Sequence, residues 1–167
     1  MDRHRILFVC AGNICRSPLA EGIFRHLASE GGCDSEFDID SAGTGGWHQG
    51  ERPDRRSVAV AAGHGIDISA QRARRIEPSD FSRFDLILAM DQDNLKNLRK
   101  AAPAESLGRL YLFNALALGS NKDIPIPTMA TARISKRFTP CSWPAAARCC
   151  PKLGTCCGAR EAGISLR

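Results

Sequence analysis

At 167 residues the chain has the size of one ordinary domain, and its 43% hydrophobic and 25% charged residues exclude a disordered or fibrous protein. The net charge of +5 does not describe a nucleic-acid-binding face: residues 1–125 carry 16 Lys and Arg against 17 Asp and Glu, and residues 126–167 carry 7 against 1. The first apolar run, residues 6–10, is too short for a signal-peptide core and no run could span a bilayer, so a cytoplasmic protein without membrane or specific nucleic-acid partners is expected.

In chain order, residues 6–9 read as a short buried strand. Residues 17–30 read as a helix, with Leu19, Ala20, Ile23, Phe24 and Leu27 at helical spacing. Residues 37–41 are a second strand, and 53–62 a helix with Asp54 in its first turn. The stretch FDLILA, residues 84–89, is a continuous apolar strand of the kind covered on both faces. Residues 91–100 are helical and 110–113 are a fourth strand. This alternation predicts an α/β, three-layer fold: a central four-stranded parallel sheet with helices on both faces. Ligands in such sheets bind at the C-terminal ends of strands, where Cys10 lies.

The loop after strand 1 has the chemistry of an anion cradle. Gly12 and Asn13 tolerate positive φ, so the backbone can curl there. Ser17-Pro18 opens a helix, proline being suited to a first turn. A curled loop at a helix N-terminus turns N–H groups inward, and the helix dipole adds positive potential. A thiolate centred there is stabilised, which makes Cys10 a nucleophile at neutral pH. The Arg16 guanidinium can grip two phosphate oxygens, and the Ser17 hydroxyl can donate to the thiolate. Ala11 to Cys15 would supply the phosphate-binding backbone.

The stretch Cys10-Ala-Gly-Asn-Ile-Cys-Arg-Ser-Pro18 resembles the signature loop CxGNxCRSP of the low-molecular-weight protein tyrosine phosphatases. Ser41-Ala-Gly-Thr44 followed by Gly45-Gly46-Trp47-His48, then Pro53-Asp54-Arg55-Arg56, and RARRIEPSDFSRFDLILAMDQDNL from Arg72 to Leu95 match as well. The resemblance covers residues 4–125. It implies hydrolysis of phosphotyrosine proteins and aryl phosphates through a cysteinyl-phosphate on Cys10, with no cofactor and no metal. It implies that Arg16 and the loop amides of Ala11, Gly12, Asn13, Ile14 and Cys15 hold the phosphate, and that Ser17 supports the thiolate. It also implies that Asn13 keeps the loop's shape and Trp47 flanks the phenol ring. Cys15 is either a redox partner protecting Cys10 or packing; Trp47 could also be plain surface cover. His48 and His64 are read as structural or exposed rather than catalytic, and Arg72–Arg75 as a solvated face. Oligomeric state is left open.

The chain departs from the family at its end. The family carries an Asp-Pro-Tyr loop whose aspartate is the general acid and base; here the text is DIPIPTMA, and Ile126 occupies the acid position. No tyrosine follows, and Asp123 lies three residues early. One base restored at codon 126 lets residues 126–144 read DPYYGDGADFEAVYTMLVA, with synonymous third bases. A frameshift after Pro125 is therefore expected. It would make 1–125 the phosphatase-like domain and 126–167 an out-of-frame, poorly ordered tail without the family's last helix. The same reading accounts for the tail's basic charge and its five cysteines, which lack the CxxC spacing of a zinc site. Activity is then expected to be impaired. The alternatives are an arsenate reductase of the same fold, which needs further relay cysteines that residues 34–140 do not contain, and a phosphate- or phosphotyrosine-binding protein without turnover.

Overall fold

Every residue from Ile6 to Cys10 is at most 3% exposed. A strand achieves this only when both of its faces are covered. The computed structural model describes residues 3–126 and sets this run in the middle of a sheet. Strands β1 (His4–Cys10), β2 (Phe37–Gly43), β3 (Leu86–Ala89) and β4 (Leu110–Leu112) lie in the order β2-β1-β3-β4. All pairings are parallel; Phe8 stands opposite Ser41 on one side and Leu88 on the other.

Helices α1 (Arg16–Glu30), α2 (Arg55–Ala62), α3 (Asp80–Arg83), α4 (Gln92–Ala101) and α5 (Phe113–Leu118) connect and flank the strands. Side chains alternate across β1 with the period of two that a strand imposes. Ile6, Phe8 and Cys10 join Phe24 and Ala28 of α1, with Phe113 of α5 packed alongside. Leu7 and Val9 join Phe81 of α3, Leu95 and Leu98 of α4, and Leu112. Helices thus cover both faces, as the alternation predicts. α2 packs on α1: Ala61 clusters with Ile66 and Ile68 against Leu19 and Ile23. Gly22 permits this approach, since a Cβ there would lie 2.3 Å from Ile68 Cγ2.

Element boundaries differ from expectation for local reasons. α2 starts at Arg55 because Asp54 is its N-cap, accepting from the Arg56 amide at 2.8 Å. β3 starts at Leu86, since Phe84 closes the short helix α3 and points into the core. Phe113 opens α5 rather than ending β4, and its ring meets Phe8 edge-on at 5.7 Å between centroids. The expectations of a poorly ordered tail and a missing last helix fall on residues beyond 126, outside the described residues.

Candidate active site

The sheet delivers three strand ends to one place: Cys10 from β1, the Ser41–Gly43 segment from β2, and Met90-Asp91 beyond β3. Between Cys10 and α1 the chain makes a tight loop. Asn13 takes φ 55°, the one positive value at a non-glycine residue among those described. Gly12 does not need its conformational freedom for φ; it needs the space. A Cβ there would lie 2.8 Å from His48 Cδ2 and 3.3 Å from Trp47 Nε1.

The loop's carbonyls are held from outside. Cys10 O accepts from Thr44 N at 2.9 Å, Ala11 O from Gly45 N at 2.9 Å, and Ile14 O from Asp54 N at 2.7 Å. The amides of residues 12–15 donate to no backbone carbonyl of the described residues. A loop at a helix N-terminus whose carbonyls are taken up and whose amides have no backbone partner among the described residues is suited to hold an anion.

Cys10 lies at the floor, 3% exposed, with Sγ 3.0 Å from Ser17 Oγ. Asn13 Nδ2 donates to Ser17 Oγ and to Ser41 Oγ, each at 2.9 Å. Because Ser17 is an acceptor there, its single proton is left for the Cys10 sulfur or for Ala42 O at 3.3 Å. Ser41 Oγ in turn donates to Glu21 Oε2 at 2.7 Å, and Arg25 holds Glu21 Oε1 at 3.0 Å. Burial raises the Glu21 carboxyl above its ordinary value, against the pull of these two partners.

Arg74 pins the other side of Asn13. Its amide donates to Asn13 Oδ1 at 2.8 Å. Its guanidinium bridges Asp40 and Asp80, each at 2.8 Å, so Arg74 belongs to a partly buried ion-pair hub rather than to a solvated face. Burial opposes the charge of Arg74, but Asp80 and Asp40 outweigh it and raise its value. Arg72 and Arg75 are exposed, as expected.

Arg16 stands at the start of α1. Its Nη1 donates to Asp91 Oδ2 at 2.6 Å and to Ile124 O at 3.2 Å. Nε and Nη2 make no hydrogen bond to the described residues, which leaves one edge of the fork for an oxyanion. Asp91 also caps α4, accepting from Asn94 N at 2.6 Å. Cys15 is half-buried and makes no disulfide among the described residues; burial first, then the charges of Asp54 and Cys10, push its thiol up. Trp47 is 66% exposed and lies over Gly45, where a Cβ would fall 1.7 Å from the ring. His64 is exposed on the turn after α2. Ile126 is 53% exposed at the end of a segment tied down by Ile124 N to Met90 O at 2.8 Å and Asn114 Nδ2 to Lys122 O at 2.7 Å. Asp123 is engaged at the start of α4, accepting from Gln92 N at 3.0 Å.

The structure therefore brings together Cys10, Gly12, Asn13, Arg16, Ser17 and Trp47. Glu21 and Asp91 were not singled out from the sequence, Ser41 stood there only as the start of a matching stretch, and Arg74 was placed on a solvated face. Ser41 and Asp91 had a usable signal, because each falls at or just past the C-terminal end of a parallel strand.

Residues 5–137 match the family described as low molecular weight phosphotyrosine protein phosphatase. A phosphatase of that description from Schizosaccharomyces pombe is 46% identical, over 68% of this chain and 72% of its own length. A low molecular weight protein-tyrosine-phosphatase from Streptomyces coelicolor is 43% identical, over 74% of this chain and 77% of its own. The crystal structure of YfkJ from Bacillus subtilis superposes with a TM-score of 0.72 at 37% identity, covering 78% of this chain and 82% of that one. The chain belongs to the low molecular weight phosphotyrosine protein phosphatase family.

Proposed function

We propose that the chain hydrolyses phosphotyrosine in proteins, and aryl phosphates generally, by way of a cysteinyl-phosphate on Cys10. The observation that carries this reading is the Ser17 hydroxyl 3.0 Å from a buried Cys10 sulfur, next to a loop whose amides at residues 12–15 donate to no backbone carbonyl of the described residues. The Cys10 thiolate attacks phosphorus and the bond to the phenol oxygen breaks. The amides of Ala11, Gly12, Asn13, Ile14 and Cys15, with Arg16, take up the charge on the equatorial oxygens, where phosphoryl transfer needs most help. Ser17 steadies the sulfur in both directions. Trp47 offers a ring face beside the loop to a phenol, and Asp91 positions Arg16. Water then releases phosphate and regenerates the thiolate.

Turnover is impaired at the position where the family carries its acid, because the Ile126 side chain has no proton to give. General acid–base help is worth ~10²–10⁴-fold. The expected result is hydrolysis of p-nitrophenyl phosphate and of phosphotyrosine peptides that disappears in Cys10→Ser, with phosphoserine peptides left intact. A rate retained in Cys10→Ser would refute the covalent route.

Ile126 also favours a second reading, phosphotyrosine binding without turnover. Tight peptide binding with no phosphate release would select it. Relay of a disulfide in arsenate reduction is less supported: Cys33 is buried in the core beside Phe24 and Phe37, with its thiol donated to Ala28 O at 3.4 Å.

A further inference from the structure

Beside the loop lies a titratable pair with no part in the chemistry proposed for Cys10. His48 sits on the turn after β2, and its Nδ1 is 2.8 Å from Glu51 Oε2. A carboxylate accepts only, so Nδ1 carries a proton and Nε2 is the nitrogen whose proton can come and go. The edge of the ring opposite Glu51 faces the loop: a Cβ on Gly12 would lie 2.8 Å from His48 Cδ2 and 3.6 Å from Nε2.

The turn carrying this pair is tied down at both ends. Gly45 N donates to Ala11 O at 2.9 Å, joining it to the loop itself. Gly50 N donates to Ala73 O at 2.7 Å, and Ala73 N to Glu51 O at 2.9 Å. Within the turn, Glu51 N donates to His48 O at 2.9 Å. The backbone that carries the ring is thus held in place before substrate binds.

Other acids around the loop are committed elsewhere. Asp91 holds Arg16, Asp54 caps α2 and pairs with Arg56, and Asp123 holds the start of α4. The position where the family carries its acid is Ile126. The charged partner of His48 is Glu51 on its own turn; Cys10 and Arg16 belong to the loop whose Gly12 its ring abuts, and Arg75 packs against Gly46 of the same turn. Gly12 and Trp47 touch it without charge.

We propose that His48, oriented by Glu51, is a further catalytic residue: the proton donor and acceptor of the phosphoryl transfer in this chain. The assignment rests on the proposed phosphatase function and departs from the expectation that His48 is merely structural. In the first step Cys10 sulfur bonds to phosphorus. The phosphorus–oxygen bond to the phenol breaks, and its electron pair takes the proton from His48 Nε2. In the second, water oxygen bonds to phosphorus, one water proton passes to Nε2, and the sulfur–phosphorus electron pair returns to Cys10. Thiolate and imidazolium are both restored.

The test is the dependence of rate on the leaving phenol, measured on the full chain with a series of aryl phosphates. In His48→Gln the rate should fall ~10²-fold on phenyl phosphate and only a few-fold on p-nitrophenyl phosphate. The high-pH limb of the kcat profile should disappear, while inhibition by vanadate is retained. Glu51→Gln should move the same limb and lie between the two in rate. An unchanged leaving-group slope and pH limb in both variants would overturn the assignment and leave the phosphatase reading standing. A wild-type chain that releases no phenol in a Cys10-dependent way would overturn both.

Discussion

Cys10 and Ser17 are seven residues apart in sequence and 3.0 Å apart in space because one tight loop carries the chain from strand to helix. The proximity of Cys10, Arg16 and Ser17 was legible for that reason: they belong to one contiguous stretch whose local geometry follows from its own residue types. Ser41, Arg74, Asp91 and His48 were not, because only strand pairing and the loop contacts bring them to Asn13, Arg16 and Gly12. Removal of the Ser17 hydroxyl should slow release of phosphate more than it weakens phosphate binding, a difference that burst kinetics on Ser17→Ala would reveal. Glu21 gives a stability prediction. Its folded-state value is raised above the ordinary 4.5, so the folded state holds this proton more tightly than the unfolded chain does. The stabilisation is complete below the ordinary value and is lost as pH rises through the folded-state value. Urea unfolding of the wild type and Glu21→Gln from about pH 4 to about pH 7 should show the wild type losing ground to the variant as pH rises. A constant gap would contradict the burial argument.

At the scale of elements, the strands were legible as apolar runs and the longer helices from their period. Their ends were set by caps and by core packing that a period does not express. Asp54 and Asp91 illustrate this, each ending the preceding segment by accepting an amide of the next helix. Phe113 illustrates the converse: an apolar residue that continues the pattern of β4 instead opens α5, because its ring is needed against Phe8. Asp91 joins element to site, since one carboxylate caps α4 and holds Arg16. Asparagine caps as well as aspartate. Asp91→Asn should therefore keep the melting temperature and weaken phosphate binding ~10-fold, the loss expected of a charged hydrogen bond. Asp91→Ala should lose the same affinity and about 1 kcal/mol of stability besides. Equal phosphate affinity in all three proteins, by calorimetry, would remove Asp91 from the positioning of Arg16.

On the scale of the whole molecule, a four-stranded parallel sheet supports the loop, and the segment leading to Ile126 is anchored by Met90, Asn114 and Arg16. Among the described residues, which end at 126, these contacts shape the cradle. We read 126–167 as an out-of-frame continuation, and resequencing codons 120–130 against close relatives decides it: an intact read with no lost base sinks the idea. On this reading Ile126→Asp alone recovers little, because the tyrosines and the helix pattern of the restored frame remain absent; a rate gain of ~10²-fold from that single change would refute it. Covalent phosphoryl transfer at Cys10, as we propose it, is tested by acid quenching of the chain during reaction with p-nitrophenyl phosphate, with mass spectrometry of the quenched protein. One added phosphoryl group is expected on the peptide bearing Cys10, absent from Cys10→Ser. Release of nitrophenol with no phosphoryl group on Cys10 at any time would contradict it.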